Sequence, residues 1–243
     1  MNIDTLTIYR GGDFYINDKI SIHQPTLGEI CDFGENKYFS IIYLVTSIPS
    51  DMKSFLFDNG IDYEKFSDFE LFILLTKSLS VKDTAIIFGN LDFTNFECGI
   101  NEENEELVMY DVKNDIIIDR YIYKIIFDYL TKTHGIKKKV ELAGNEFTKR
   151  FLIDEDREKN NKKEDKQFSS ILLPLISAMV NCEGFKYNHA QVWDMKINAF
   201  MDSVRRIQKI KDANNTINGV YSGKLDGTKI NKKELDWLGE LET

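Results

Sequence analysis

Apolar residues alternate with polar ones over the first 24 positions. Leu6 and Ile8, Phe14 and Ile16, and Ile20 and Ile22 sit two apart, with Gly11-Gly12 and Asn17-Asp18 between the pairs. Alternation broken by turn dipeptides predicts short strands in a small antiparallel meander. Pro25 then opens a helix over 26–33 that Gly34 ends, because proline suits a first helical turn and glycine the position past the last. Residues 37–48 are apolar and aromatic up to Pro49, but Ile41, Ile42 and Val45 are β-branched, so helix and strand both stay open there. Ser50 is placed to cap a helix that stops at Asn59-Gly60. Ser67 with Glu70 forms a capping box ahead of an apolar helix over 71–79, and 81–88 reads as one more short helix.

The helical period lapses over 89–115, where 101–106 is an acidic surface loop and 107–110 a candidate strand. A division of the chain is placed here. Residues 1–115 would hold the β element with its helices and 116–243 a helical region, a single domain being the alternative. Ile118, Ile122, Ile125, Ile126 and Tyr129 follow the spacing of an amphipathic helix that ends near His134-Gly135. The run DEDREKNNKKEDK at 154–166 reads as a solvated helix end or loop. Residues 171–180 are apolar nearly all round, which predicts a buried helix. Asn188 caps a short helix through Trp193, and Ile197, Phe200, Met201, Val204, Ile207 and Ile210 form one long apolar stripe. Asp202 precedes Arg205 and Arg206 at the spacing of a surface ion pair. A last short helix, 231–238, anchors Trp237. These elements make an α+β fold, predominantly helical, with a small N-terminal antiparallel β element.

Composition agrees with a packed chain. Hydrophobic residues are 42% of 243 and charged residues 29%, a globular rather than a disordered balance. Seventeen phenylalanines and 11 tyrosines let rings build much of the core. The net charge of -9 repels bulk nucleic acid and anionic membrane. No apolar run approaches the ~20 residues of a membrane span, and the opening MNIDTLTIYR lacks the apolar stretch of a secretory leader. A soluble, intracellular chain is the expectation. Cys31, Cys98 and Cys182 are widely spaced and odd in number, as expected of free thiols in a reducing cytoplasm.

Chemical motifs are few. Neither GxxxxGK[ST] nor a GxGxxG between strand and helix occurs, and His23, His134 and His189 lie too far apart for an HExxH helix. No catalytic residue, cofactor or metal is expected. Ser50 and Lys53 match SxxK, which places a serine at a helix start and a lysine one turn later, but the partner motifs SDN and KTG are absent. Asp226-Gly227 before Glu234 resembles half a calcium loop, yet Ser222, Lys224 and Lys233 stand where ligands belong. Two carboxylates facing across a cleft, as in hydrolases, are not legible among 40 acids. Two basic groups remain: Lys137, Lys138 and Lys139 with Lys149 and Arg150, and a helical face of Arg205, Arg206, Lys209 and Lys211. Arg205, Arg206 and Lys209 are the nucleic-acid candidates, with steep salt dependence as their signature. Interleaved Glu141, Glu146, Asp202 and Asp212, and the lack of an aromatic RNA motif, favour a solvated face instead.

Several strings belong together. They are Gln24-Pro25-Thr26-Leu27-Gly28-Glu29-Ile30 with Phe33-Gly34, Ile48-Pro49-Ser50-Asp51 and Ser67-Asp68-Phe69-Glu70-Leu71-Phe72. Further along come Leu172-Leu173-Pro174-Leu175-Ile176-Ser177, Trp193-Asp194-Met195 and Phe200-Met201-Asp202-Ser203-Val204. Tyr221-Ser222-Gly223 and Lys232-Lys233-Glu234-Leu235-Asp236-Trp237 complete the set. Together they resemble proteins from the tail morphogenesis region of phages and prophages of Gram-positive bacteria, most of all tail assembly chaperone-type and minor structural proteins. The likeness spans most of the chain and includes no chemical motif, so no functional residue is carried across.

The resemblance implies a non-enzymatic protein of the host bacterial cytoplasm, or of the virion, that coats the tape-measure protein and recruits tail-tube subunits. An apolar groove that accepts helical partner segments would serve that role. Trp193, Phe200 and Met201 are its candidate anchors, though each also fits an ordinary core. The chain is large for a tail chaperone, which keeps open a structural virion component of the tail or baseplate. A nucleic-acid-binding accessory protein and an unrecognised hydrolase with two carboxylates in a deep pocket are the remaining alternatives.

Overall fold

A computed structural model describes residues 3–101, 105–164 and 168–241. The chain begins with a helix rather than a strand. Helix α1 (Thr5–Arg10) starts at Asp4, whose carboxylate accepts the Leu6 and Thr7 N–H groups, and stops at Gly11 in the left-handed region. Residues two apart on a helix point about 200° apart. Ile8 is therefore buried while Leu6 is 72% exposed, and the alternation taken for a strand is one inward and one outward position on a capped turn. The meander reduces to β1 (Phe14–Tyr15) and β2 (Ser21–Ile22), paired antiparallel.

Helix α2 (Leu27–Phe33) carries a full capping box between Thr26 and Glu29. The ambiguous stretch after it is helical, α3 (Glu35–Thr46), with Tyr38, Ile41, Ile42 and Val45 buried along one side. Burial between α2 and the helices that follow it in the chain outweighs the modest helix aversion of its β-branched residues. Pro49–Asp51 form a 3₁₀ turn before α4 (Lys53–Asp58). Asp51, not Ser50, caps this turn by accepting the Ile48 N–H, while Ser50 lies within it and accepts the Glu141 N–H. Helices α5 (Asp68–Thr76), with its Ser67–Glu70 capping box, and α6 (Val81–Phe88) lie where the pattern puts them.

The larger β element lies mid-chain. Strands β3 (Glu97–Ile100), β4 (Leu107–Asp111) and β5 (Ile116–Ile118) form an antiparallel sheet in that order. Strand β4 matches the expected strand, and the acidic loop beside it falls partly outside the described residues. Ile118 ends β5 instead of opening the next helix. That helix, α7 (Arg120–His134), is capped by Asp119 and closed by left-handed Gly135.

Helix α8 (Glu146–Glu164) turns most of the 154–166 charge run into a solvated helix, the rest lying outside the described residues. Helix α9 (Leu172–Val180) is buried on one side only: Leu172, Ile176 and Met179 face inward, while Ile171 and Leu173 are exposed. Its N-terminus is capped from α3, where the Glu35 carboxylate accepts the Ile171 and Leu172 N–H groups at 2.7 and 2.8 Å. Helices α10 (Ile197–Tyr221) and α11 (Lys232–Leu235) complete a mostly helical α+β fold.

One apolar core runs from Ile3 to Phe200 and draws on residues before and after position 115. Isoleucines and rings build it together: Phe14 stacks on Tyr129 at 4.6 Å, and Phe72 meets Phe93 edge to face. A smaller cluster of Leu56, Tyr63, Leu71 and Ile153 seats α8 against α4 and α5. The segments that enter α2 and α10 are tied by backbone bonds from Leu27 N–H to the Met195 carbonyl and from Ile197 N–H to the Pro25 carbonyl, 2.9 and 3.0 Å.

Candidate functional site

A cleft of about 570 Å³ opens between α1, the end of α7 and the start of α10. Three local features bring its walls together. The Asn198 amide donates to the Thr133 carbonyl at 2.8 Å and fastens α10 to α7. The Gln24 amide donates to the Ile8 carbonyl at 3.0 Å and anchors α1. Gly11 lets Lys196 pass, since a Cβ there would stand 2.6 Å from the Lys196 Cγ.

Leu6, Ile8, Tyr9 and Ile136 supply the cleft's apolar surface, and Lys132, Lys137, Arg205 and Asp202 its charges. Among the described residues, none of the three cations enters an ion pair. Positive charge is thus concentrated locally on a chain of net charge -9. The α7 wall adds no further charge at neutral pH. His134 Nδ1 donates to the Leu130 carbonyl at 2.8 Å, and Nε2 lies 2.6 Å from the Tyr38 hydroxyl. Burial pushes the imidazole down to about 4, so it stays neutral. The arrangement suits an apolar side chain flanked by acidic groups.

The anchors expected from the sequence lie elsewhere. Phe200 is 0% exposed and meets Phe185 edge to face, which makes it core and closes it to a partner. Met201 is half-buried against the same core. Trp193 is half-buried with its ring edge-on to His189, and its carbonyl lies close over Gly28 of α2. None of the three lines the cleft. The stripe that singled out Phe200 and Met201 reports how α10 packs.

The basic groups also divide. Arg206 donates to the Trp237 and Gly239 carbonyls at 2.6 and 2.8 Å, and Lys209 to the Glu240 carbonyl at 2.9 Å. Both hold the C-terminal tail along α10. Lys209 borders a second cleft of about 950 Å³ there, which Arg205 also lines. The expected ion pairs from Asp202 to Arg205 and Arg206 do not form among the described residues, because Arg206 is drawn to the tail carbonyls. Lys138 pairs with Asp51, Lys139 with Glu141, and Lys149 with Asp62 and Glu64. Lys137 alone of that group reaches the first cleft.

Ser50 and Lys53 are not joined as a nucleophile and base. Lys53 Nζ donates to the Ser50 carbonyl at 2.5 Å and pairs with Glu141 at 2.9 Å, while the Ser50 hydroxyl binds the Glu141 backbone. His23 bridges Asp13 at 2.6 Å and Glu29 at 3.3 Å, one carboxylate on each ring nitrogen. Among the described residues no group of His, Cys, Asp and Glu is arranged to hold a metal ion, and the three cysteines are free. No described helix is long and apolar enough to cross a membrane.

The fold and cleft define a mostly helical α+β chain bearing an apolar recess with a cationic rim. Residues 161–242 match the family described as the YomV second domain, a family of phage and prophage type. The matched segment takes in α9, α10 and α11, and with them Trp193, Phe200, Met201, Arg205, Arg206 and Lys209. It includes the α10 wall of the cleft but neither α1 nor α7. No curated protein and no solved structure is significantly similar to the chain.

Proposed function

We propose that this chain is a non-enzymatic protein of phage tail assembly that acts by binding other proteins. Its α1–α7–α10 cleft receives an apolar side chain from a helical segment of a tape-measure or tail-tube protein. One observation carries the reading: Lys132, Lys137 and Arg205 surround the apolar surface of Leu6, Tyr9 and Ile136, and no carboxylate of the described chain pairs with them. An exposed apolar recess rimmed by unpaired charge is what a docking site for an amphipathic helix requires. The phage assignment draws support from the YomV match over the last third of the chain.

The test is co-purification of the tagged chain from a host expressing the neighbouring tail genes, with finished particles analysed separately. Binding of tape-measure or tube subunits, lost in Leu6→Ser/Lys137→Glu, with absence from particles, supports the chaperone role. Retention in particles at fixed stoichiometry would instead make the chain a structural component of the tail or baseplate. Capture of nucleic acid alone, weakening steeply with salt, would replace the reading with an accessory nucleic-acid role.

A further inference from the structure

Residues 137–162 lie on the body as a strap, made of the extended segment after α7 and most of α8. Ile153 is the one apolar side chain they bury. Val140, Leu142, Phe147 and Phe151 are all exposed, so they do not hold the strap down. Polar bonds do. Lys138 pairs with Asp51 at 2.6 Å, and Glu141 with Lys53 at 2.9 Å. The Glu141 and Ala143 N–H groups donate to Ser50 and Glu64, at 2.9 and 2.6 Å. Further along, Lys149 pairs with Asp62 and Glu64, Asp156 accepts the Ser54 hydroxyl at 2.7 Å, and Arg157 reaches Asp58 at 2.6 Å. Among the described residues, every hydrogen bond and ion pair that leaves the strap ends within 50–64. Two continuous stretches of chain are zipped to each other.

The carboxylates of these pairs already meet solvent, so water replaces the pairing at modest cost. Lifting the strap therefore costs less than unfolding α7, which buries Ile126, Tyr129 and Leu130 in the core. A hinge stands at its start, where Gly135 is left-handed with φ of 62°. Between Gly135 and the latched Lys138 lie Ile136 and Lys137, and both line the α1–α7–α10 cleft. We propose that 137–162 is a latched strap that lifts from 50–64 as one unit about Gly135, carrying the Ile136–Lys137 wall of the cleft with it. Closed, the strap completes the cleft. Open, it withdraws that wall and takes Ile153 out of its cluster with Leu56, Tyr63 and Leu71. An occupant that needs the wall holds the strap shut, and a lifted strap weakens the occupant by the same factor. This link to an occupant rests on reading the cleft as a protein-docking site, whereas the opening itself does not.

Residue-resolved amide hydrogen exchange on the full chain tests the opening with no partner present, so its outcome is separate from that of the co-purification. The Ile136 N–H donates to the Thr131 carbonyl at 2.8 Å and reports on the cleft wall. In the wild type, the amides of Ile136, Glu141, Ala143 and Ile153 should exchange through one shared opening, about tenfold or more faster than those of the α7 core. Lys138→Met/Lys149→Met removes a latch cation from each part of the strap. It should quicken all four together by about tenfold and leave α7 unchanged. Lys162→Met breaks only a pair with Glu158 inside the strap and should leave the four unchanged. Circular dichroism checks that both variants keep the fold. Strap amides as slow as those of α7, quickening confined to the neighbours of 138 and 149, an Ile136 amide that stays with α7, or an equal effect of Lys162→Met would each overturn the proposal.

Discussion

The Tyr38 hydroxyl and His134 Nε2 lie 2.6 Å apart across the packing of α3 on α7. Burial pushes the tyrosine hydroxyl far above its ordinary value, so it remains a donor and the imidazole an acceptor. The other ring nitrogen donates to the Leu130 carbonyl, so the neutral ring has one satisfied tautomer. Protonating the ring would set a charge in the protein interior and break the Tyr38 bond.

A pH dependence follows. Folding lowers His134 from 6.5 to about 4. Between those values the unfolded chain binds a proton that the folded chain does not, so this group's contribution is full above pH 6.5 and is lost as pH falls. The loss amounts to about 3 kcal/mol. Urea unfolding of wild type and His134→Gln at neutral and acid pH measures it. The variant should lose less stability on acidification by about that amount, and equal losses would count against a neutral buried ring.

Phe200 provides a second test. With no exposure and an edge contact to Phe185, Phe200→Ala should lower stability by about 3–5 kcal/mol. Met201→Ala, at a half-buried site, should lower it less. Thermal unfolding ranks the two. A Phe200→Ala protein of unchanged stability that no longer bound its partner would restore the ring as an interface anchor.

Lys149 ties the start of α8 to the loop after α4, at 2.5 Å from Asp62 and 2.9 Å from Glu64. Its hydrogen bonds hold the Asp62 carboxyl below the ordinary range. The Ala143 N–H and then Lys149 do the same for Glu64. Depressed carboxylates stabilise above their unfolded values and lose that contribution as pH falls through the folded ones. Lys149→Ala should destabilise by about 1–2 kcal/mol, because two neighbouring carboxylates lose their shared cation. Hydrogen exchange should quicken first in α8.

Arg206 joins the tail to α10 through carbonyls 31 and 33 residues away. Arg206→Ala should speed protease cleavage within 222–241 and leave the unfolding midpoint of the core nearly unchanged, since tail ends open locally. Cleavage at the wild-type rate would mean that Lys209 and the apolar tail contacts suffice.

Much of the fold was legible because its signals are local. The Ser67–Glu70 box joins a side chain to a backbone three residues away, and the apolar period and Gly135 delimit the body and end of α7. Strands β3 and β5 were missed because a strand is stabilised by its neighbour, and neither carried a pattern of its own. Helix α9 looked buried all round because composition does not say which side meets the core.

The cleft was hidden for the same reason. Leu6, Ile136 and Arg205 come from three distant segments, and nothing near any of them in the chain announces the others. By itself the sequence determined the Ser67-capped α5, the Gly135 stop of α7 and the helix-dominated class, all set by residues within a few positions of each other. Only the tertiary structure decided that Phe200 faces inward, that Arg206 and Lys209 hold the tail, and that Glu35 caps α9 from 136 residues away. Those outcomes depend on which surfaces the packed helices exclude from water, a competition settled between segments and not within one.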